Sequence, residues 1–232
     1  MNFRNYLLSA MDPEDMAALG PFLTETALSA GELLHESEQP VEVIYFPSSA
    51  VASVVTPTRD GRSVESATIG FESVTGLPSA LSGEPSSSRV FTQVAGSAIR
   101  LPADKLQERA FKSAPLLHLL LRHIEANISQ AQQSVACNAL HEAGQRLARW
   151  LLMTQDRVSG PVVPLTQEYL AIMLGVQRTT VTLVASAFKR AGLINYRRGA
   201  ITILDRAGLE REACECYALS KVRFDRLLKT PA

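Results

Sequence analysis

From residue 114 to residue 140 the apolar positions recur with a helical period, and no glycine interrupts them. The stretch has a single proline, Pro115, at a place where a first helical turn tolerates it. Within it Leu117, Leu121, Ile124, Ile128, Ala131 and Val135 are spaced 4, 3, 4, 3 and 4 residues apart. That spacing is the a/d stripe of a two-helix seam. Arg122, His123, Glu125, Asn127, Gln130, Gln132 and Gln133 flank it as polar neighbours. The stripe would pack on the rest of its own chain, on the same helix of a second copy, or on both. Its regularity favours a dimer interface.

The pattern differs on either side of this helix. Residues 1–30 read as short helices anchored by Leu7, Leu8, Met11, Met16, Leu19 and Leu23. From residue 31 to residue 101 the period shortens to that of strands. Residues 41–46 end at Pro47, and residues 51–55 and 63–69 flank Thr58-Arg59-Asp60-Gly61, an Asp-Gly hairpin signal. Residues 90–94 and 97–101 are joined by Ala95-Gly96. Short strands punctuated by glycine and proline predict an antiparallel roll. Beyond the long helix, His141-Glu142-Ala143-Gly144 reads as a hinge. Residues 145–155 form an amphipathic helix with Leu147, Trp150 and Leu151 inward, and Ser159-Gly160-Pro161 is a loop.

Residues 165–191 then carry two short helices at close spacing. Thr166 is a suitable N-cap, with Glu168 in the first turn where the helix dipole favours an acid. Leu170, Ala171 and Leu174 recur at helical spacing, and Gly175 ends the first helix. A second helix is expected from Arg178 to Ala191, stopped by Gly192. Val181, Val184, Ala185 and Phe188 fall on one face, and Arg178, Thr179, Thr182, Ser186 and Lys189 on the other. Short side chains around one arginine let a helix sit deep in the DNA major groove. Residues 193–203 follow as a hairpin wing with Arg197 and Arg198 at its tip, placed to touch phosphate. The candidate DNA-binding residues are thus Thr166, Gln177, Arg178, Thr179, Thr180, Thr182, Lys189, Arg197 and Arg198.

Charge sharpens this reading. The chain of 232 residues has zero formal net charge, yet residues 1–141 hold 9 basic and 15 acidic side chains while residues 142–232 hold 14 and 8. An acidic front and a basic back place the nucleic-acid partner on the C-terminal part. No apolar run is long enough to span a bilayer, and the first residues lack a signal-peptide pattern, so a cytoplasmic protein with no membrane partner is expected. Cys137, Cys214 and Cys216 form no CxxC pair. They are expected to be plain thiols with no metal and no cofactor, and on one helix Cys214 and Cys216 would not share a face.

In this order of elements the chain resembles the Crp/Fnr family of bacterial transcription regulators. The resemblance rests on Gly31-Glu32, Gly70-Phe71-Glu72, the helix from Ala114, Gly144-Gln145-Arg146-Leu147-Ala148, and residues 165–192 with their wing. It implies an α+β protein: an N-terminal double-stranded, jelly-roll-like β-roll sensor over residues 1–112, a long dimerisation helix and hinge over 113–141, and a C-terminal winged helix-turn-helix over 142–232. It further implies a homodimer that binds double-stranded DNA and contacts RNA polymerase.

The chain departs from the family pattern in ways that bear on function. Nucleotide-binding relatives hold the cyclic phosphate with a Gly-Glu-Leu turn and a later Arg-Ser-Ala. Here the segments read Gly70-Phe71-Glu72-Ser73-Val74 and Ser86-Ser87-Ser88-Arg89-Val90. Ser87 stands at the arginine position, and Arg89 is displaced by two residues, about 6.6 Å along a strand. The polar pair that holds the base falls near Ala131 and Gln132. Control by cyclic AMP is therefore not expected. The alternative is a receptor for a nucleotide or cyclic dinucleotide with Glu72, Ser87, Ser88, Arg89 and Gln132 as a rebuilt effector pocket. No cysteine precedes Cys137 to hold an iron–sulfur cluster, and His35, read as a surface residue in a turn, is the roll's one histidine. A cupin-type enzyme needs a histidine cluster there, so catalysis is not expected. In the recognition helix Arg178 is kept, while Thr179 replaces the family's acid and Leu183 its second arginine, which predicts a different operator.

Overall fold

The computed structural model describes residues 4–61, 63–197 and 199–229. Asn5 starts the first helix, α1 (Tyr6–Ser9). Its side chain accepts from the amides of Leu7 and Leu8 and donates to the carbonyls of Pro47 (3.0 Å) and Ser73 (2.8 Å). Helix α2 (Pro13–Leu19) opens on proline, whose missing N–H costs nothing in a first turn. The helical expectation for residues 1–30 fails at its end. Gly20-Pro21 stops the helix, and the β-branched Thr24 and Thr26 start strand β1 (Thr24–Leu28).

Strands β2 (Leu33–His35), β3 (Val43–Pro47), β4 (Val51–Pro57) and β5 (Ser63–Ile69) follow, then helix α3 (Leu77–Ser82) and strands β6 (Arg89–Val94) and β7 (Gly96–Pro102). They form two antiparallel sheets, ordered β1-β7-β3 and β2-β6-β4-β5. The expected hairpin at Asp60-Gly61 joins β4 to β5. The strands around Ala95 belong to different sheets, so the chain crosses the roll at Gly96. There a Cβ would lie 2.4 Å from the backbone nitrogen of Ala50, and only glycine fits without backbone movement.

Helix α4 (Ala103–Ala110) leads to α5 (Ala114–Leu140), which has the boundaries read from the sequence. Ser113 caps α5 through the Leu116 amide and donates to the buried Asp15 (3.0 Å), which also pairs with Arg109 (2.6 Å). Leu7, Leu8, Phe46, Leu77, Leu101, Leu106, Leu116 and Leu120 belong to the core that fixes α5 to the roll. His123 and Gln130, two of the polar residues flanking the seam, are buried on this side of α5. Ser73 Oγ and His123 Nε2 share a hydrogen bond of 2.9 Å, and burial lowers the His123 pKa to about 4.

Helix α6 (Ala143–Gln155) begins earlier than expected. Glu142 caps it in a reciprocal capping box with Gln145, so Gly144 lies inside the helix and the break narrows to His141-Glu142. A three-stranded sheet is built from β8 (Val162–Val163), β9 (Ile194–Arg197) and β10 (Ala200–Ile203) in the order β8-β10-β9. Between β8 and β9 lie α7 (Gln167–Leu174) and α8 (Arg178–Arg190). Leu147, Leu151, Leu170, Val181, Phe188, Ile194 and Ile201 share one core with these elements. The last two helices are α9 (Arg206–Glu212) and α10 (Cys216–Lys229). The segment after the wing thus does more than extend the helix-turn-helix, because α10 packs along α5.

Candidate nucleic-acid interface

The candidate DNA-binding side chains gather on α7, α8 and the wing. Thr166 caps α7, its Oγ1 accepting from the Tyr169 amide (3.3 Å), and Gly175 closes that helix with a positive φ of 59°. Helix α8 leaves α7 at 102°, within the range of helix-turn-helix pairs. Val181, Ala185 and Phe188 bury one face of α8 and fix its orientation. Gln177, Arg178, Thr179, Thr182, Leu183, Ser186 and Lys189 are exposed on the other, while Thr180 is half-buried at the edge. Thr182 Oγ1 donates to the Arg178 carbonyl (3.0 Å), which fixes its rotamer on this face. Leu183 is 72% exposed, an apolar group on a polar surface that suits contact with a thymine methyl. Arg197 is exposed at the end of β9, and Gly199 turns the wing with φ 78°. Arg198 lies outside the described residues.

The seam residues are unevenly covered, and Ile124 packs against the core that joins α5 to the roll. Leu121, Ile128 and Val135 are 54%, 47% and 70% exposed, and Leu117, Ile124 and Ala131 are half-buried. The opposite face of α5 carries the buried Leu116, Leu120, Ala126 and Cys137. One helix therefore has two apolar faces, one buried in this chain and one left in contact with solvent.

Of the five residues expected to form an effector pocket, the two charged ones each have a protein partner. Glu72 is buried, and its Oε1 accepts from Nε of Arg157, in the turn after α6 (2.7 Å), and from the Gly70 amide (3.2 Å). Arg89 is engaged bidentately by Glu36, at 3.0 Å from Nε and 2.6 Å from Nη2. Ser87 and Gln132 are exposed, and Ser88 gives its carbonyl to Ser86 Oγ (2.7 Å). Each charged member of the expected pocket thus has an opposite charge beside it. His35 is also not a surface residue. It is buried and bonded to Thr75 Oγ1 (2.8 Å), and burial lowers its pKa to about 4.

Sequence reasoning missed the contacts between the roll and the helix-turn-helix. Trp150 Nε1 on α6 donates to Glu65 of β5, which also accepts from Ser53 and Thr68. Burial outweighs these bonds and raises the Glu65 pKa to about 7. Phe91 of the roll stacks on Tyr169 at 5.7 Å, and Gln93 Nε2 reaches Met173 Sδ at 3.2 Å. The one signal in the sequence was an acid inside a strand, together with the chain's single tryptophan. Cys214 precedes α10 rather than lying in it, so it and Cys216 turn to the same place, where they meet Cys137 and His141.

Comparisons with known proteins agree with this arrangement. Residues 25–112 match the cyclic nucleotide-binding domain family and residues 145–212 the Crp-like helix-turn-helix domain family. Among solved structures, FixK2 from Bradyrhizobium japonicum is 18% identical with a TM-score of 0.71, over 83% of this chain and 98% of that one. A CRP-family transcriptional regulator from Thermus thermophilus is 22% identical with a TM-score of 0.68, over 81% and 96%. The c-di-GMP-responsive global regulator CLP from Xanthomonas campestris is 14% identical with a TM-score of 0.67, over 84% and 100%. No curated protein matches the sequence.

Proposed function

The chain belongs to the Crp/Fnr family of transcription regulators, and from that premise we propose that it acts as a homodimer on double-stranded DNA without control by cyclic AMP. The observation that carries the proposal is the two-sidedness of α8, with Val181, Ala185 and Phe188 buried and Arg178, Thr179, Thr182 and Lys189 outward. Arg178 reads a base at the N-terminal end of α8, and Thr179, Thr182 and Gln177 contact bases or phosphate. Lys189 and Arg197 supply backbone charge, with Arg198 and Thr166 at the margins. The stripe Leu117–Leu121–Ile124–Ile128–Ala131–Val135, exposed at Leu121, Ile128 and Val135, zips two copies, so that two recognition helices about 34 Å apart meet successive major-groove faces of a near-palindrome.

The domain division at residues 112 and 142 follows from this reading, as does action in the cytoplasm and contact with RNA polymerase. Among the described residues no single helix is long and apolar enough to cross a membrane. Independence from cyclic AMP is supported by Glu72 and Arg89, which are paired with Arg157 and Glu36. The competing reading, a receptor for a cyclic dinucleotide, draws on the c-di-GMP-responsive neighbour. Selection from a random duplex pool, followed by calorimetry with cyclic AMP and cyclic di-GMP, tests both. A selected near-palindrome whose affinity neither nucleotide changes supports the proposal. Nucleotide heat with a shift in operator affinity favours the receptor, and failure to enrich any duplex refutes both.

A further inference from the structure

Four ligand-type side chains that play no part in the proposed DNA contacts meet where α5 ends. Cys137 lies in the last turn of α5, and His141 is its C-cap, one helical turn further on. Cys214 comes from the link into α10, and Cys216 is the first residue of that helix. One sulfur or nitrogen atom from each of Cys137, His141, Cys214 and Cys216 lies within 4.8 Å of all the others. Cys137 Sγ and Cys214 Sγ are 3.5 Å apart, and Cys216 Sγ and His141 Nδ1 are 3.6 Å apart. A tetrahedron with metal–sulfur arms of about 2.3 Å has edges of about 3.7 Å. The edges of 3.5 Å and 3.6 Å are close to that geometry.

The surroundings suit an anionic metal centre. His141 Nε2 faces Glu215 at 3.3 Å, which fixes the ring with Nδ1 toward the sulfurs, as an outer carboxylate does for a ligating histidine. Gln133 Nε2 donates to Cys216 Sγ at 3.1 Å. All three cysteines are buried, so the sulfurs lie out of bulk water. Arg146 and Arg149 stand near enough to feel the thiols' charge, and their buried Nε atoms find no hydrogen-bond acceptor. Three thiolates, one neutral histidine and a divalent ion carry a net charge of −1, which these guanidiniums offset. A Cys137–Cys214 disulfide would account for two of the groups and leave Cys216 and His141 unexplained.

We propose that Cys137, His141, Cys214 and Cys216 bind one zinc-class divalent ion, clamping α10 to the end of α5 across the break at His141-Glu142. The ligands are borderline to soft, and four-coordinate closure by protein alone is the pattern of structural zinc rather than of a catalytic site. The ion would set the angle between the seam helix and α6, and through α6 the position of α8.

The test is a cobalt(II) titration of the reduced, untagged full chain, read by absorption. The expected result is one equivalent per chain, with thiolate charge-transfer bands, the d–d bands of a tetrahedral site, and their loss on adding zinc. Cys214→Ser should remove the charge-transfer and tetrahedral bands. His141→Cys should keep one equivalent bound and shift the spectrum toward that of a four-thiolate site, which shows that a loss in the serine variant is not mere misfolding. Zinc should raise the thermal midpoint of the wild type and of His141→Cys, but not of Cys214→Ser. Absence of the bands in reduced wild-type protein, or bands that persist in Cys214→Ser, would overturn the proposal.

Discussion

Replacing Glu65 by glutamine should remove the pH dependence of stability that arises at the contact between the roll and α6. Glu65 is buried and receives hydrogen bonds from Ser53, Thr68 and Trp150, and Arg157 is the cation whose field reaches it. Burial raises its pKa from 4.5 to about 7 in the folded chain. A raised carboxyl pKa adds nothing unfavourable below pH 4.5, where both states hold the proton. The cost grows as pH rises from 4.5 to 7 and is complete above 7, because over that range the folded state keeps a proton that the unfolded state has released. The gap corresponds to about 3 kcal/mol in full. Glutamine carries no charge at any pH. It keeps one acceptor for Trp150 and disturbs the pair of hydroxyls, at about 1 kcal/mol. Urea unfolding of both proteins at one protein concentration, at pH 5, 6, 7 and 8, isolates this side chain in the difference between the two curves. Glu65→Gln should match wild type to within about 0.5 kcal/mol at pH 5, where ionisation already costs wild type nearly as much as the lost hydrogen bonds cost the variant, and should be about 2 kcal/mol more stable at pH 8. Parallel curves would show that Glu65 is ionised at pH 5 in the folded protein and would refute the reasoning.

Three further outcomes follow. His123 has a folded pKa of about 4 against 6.5, so its contribution is whole above pH 6.5 and is lost as pH falls toward 4; His123→Gln should flatten the acid limb of the stability curve by about 3 kcal/mol, and an unchanged limb would contradict it. Arg178→Ala should cost about 1–3 kcal/mol on the selected operator and relax one base position, whereas Arg197→Ala should weaken all duplexes alike and lower the salt slope by about 1; anisotropy across a salt series distinguishes them. Gly96→Ala pushes a methyl group against the Ala50 backbone and should destabilise the roll by about 1–3 kcal/mol in urea, where a neutral result would mean that the crossing is slack.

The parts that were legible in the sequence are those with local causes. The bounds of α5, the caps at Thr166 and Gly175, the two faces of α8 and the Asp60-Gly61 hairpin all follow from residues within a turn or two of one another. What stayed hidden depends on distant partners. Arg89 looked like a phosphate ligand because Glu36 is 53 residues away, and Glu72 looked available because Arg157 is 85 residues away. Burial of His123 and Gln130 required knowing which side of α5 the roll covers. The meeting of Cys137 with Cys214 spans 77 residues, and it depends on α10 folding back along α5 rather than on any spacing motif.

The central claim is that two copies, joined along the exposed stripe of α5, hold one duplex. Native mass spectrometry of the protein on its selected operator measures this directly, with Ile128→Glu beside the wild type because Ile128 is 47% exposed and its loss leaves the chain's own core intact. Two wild-type chains per duplex, and a monomeric Ile128→Glu variant that has lost operator binding, are the predicted results. One wild-type chain per duplex, or a variant that still binds as a pair, would contradict the account.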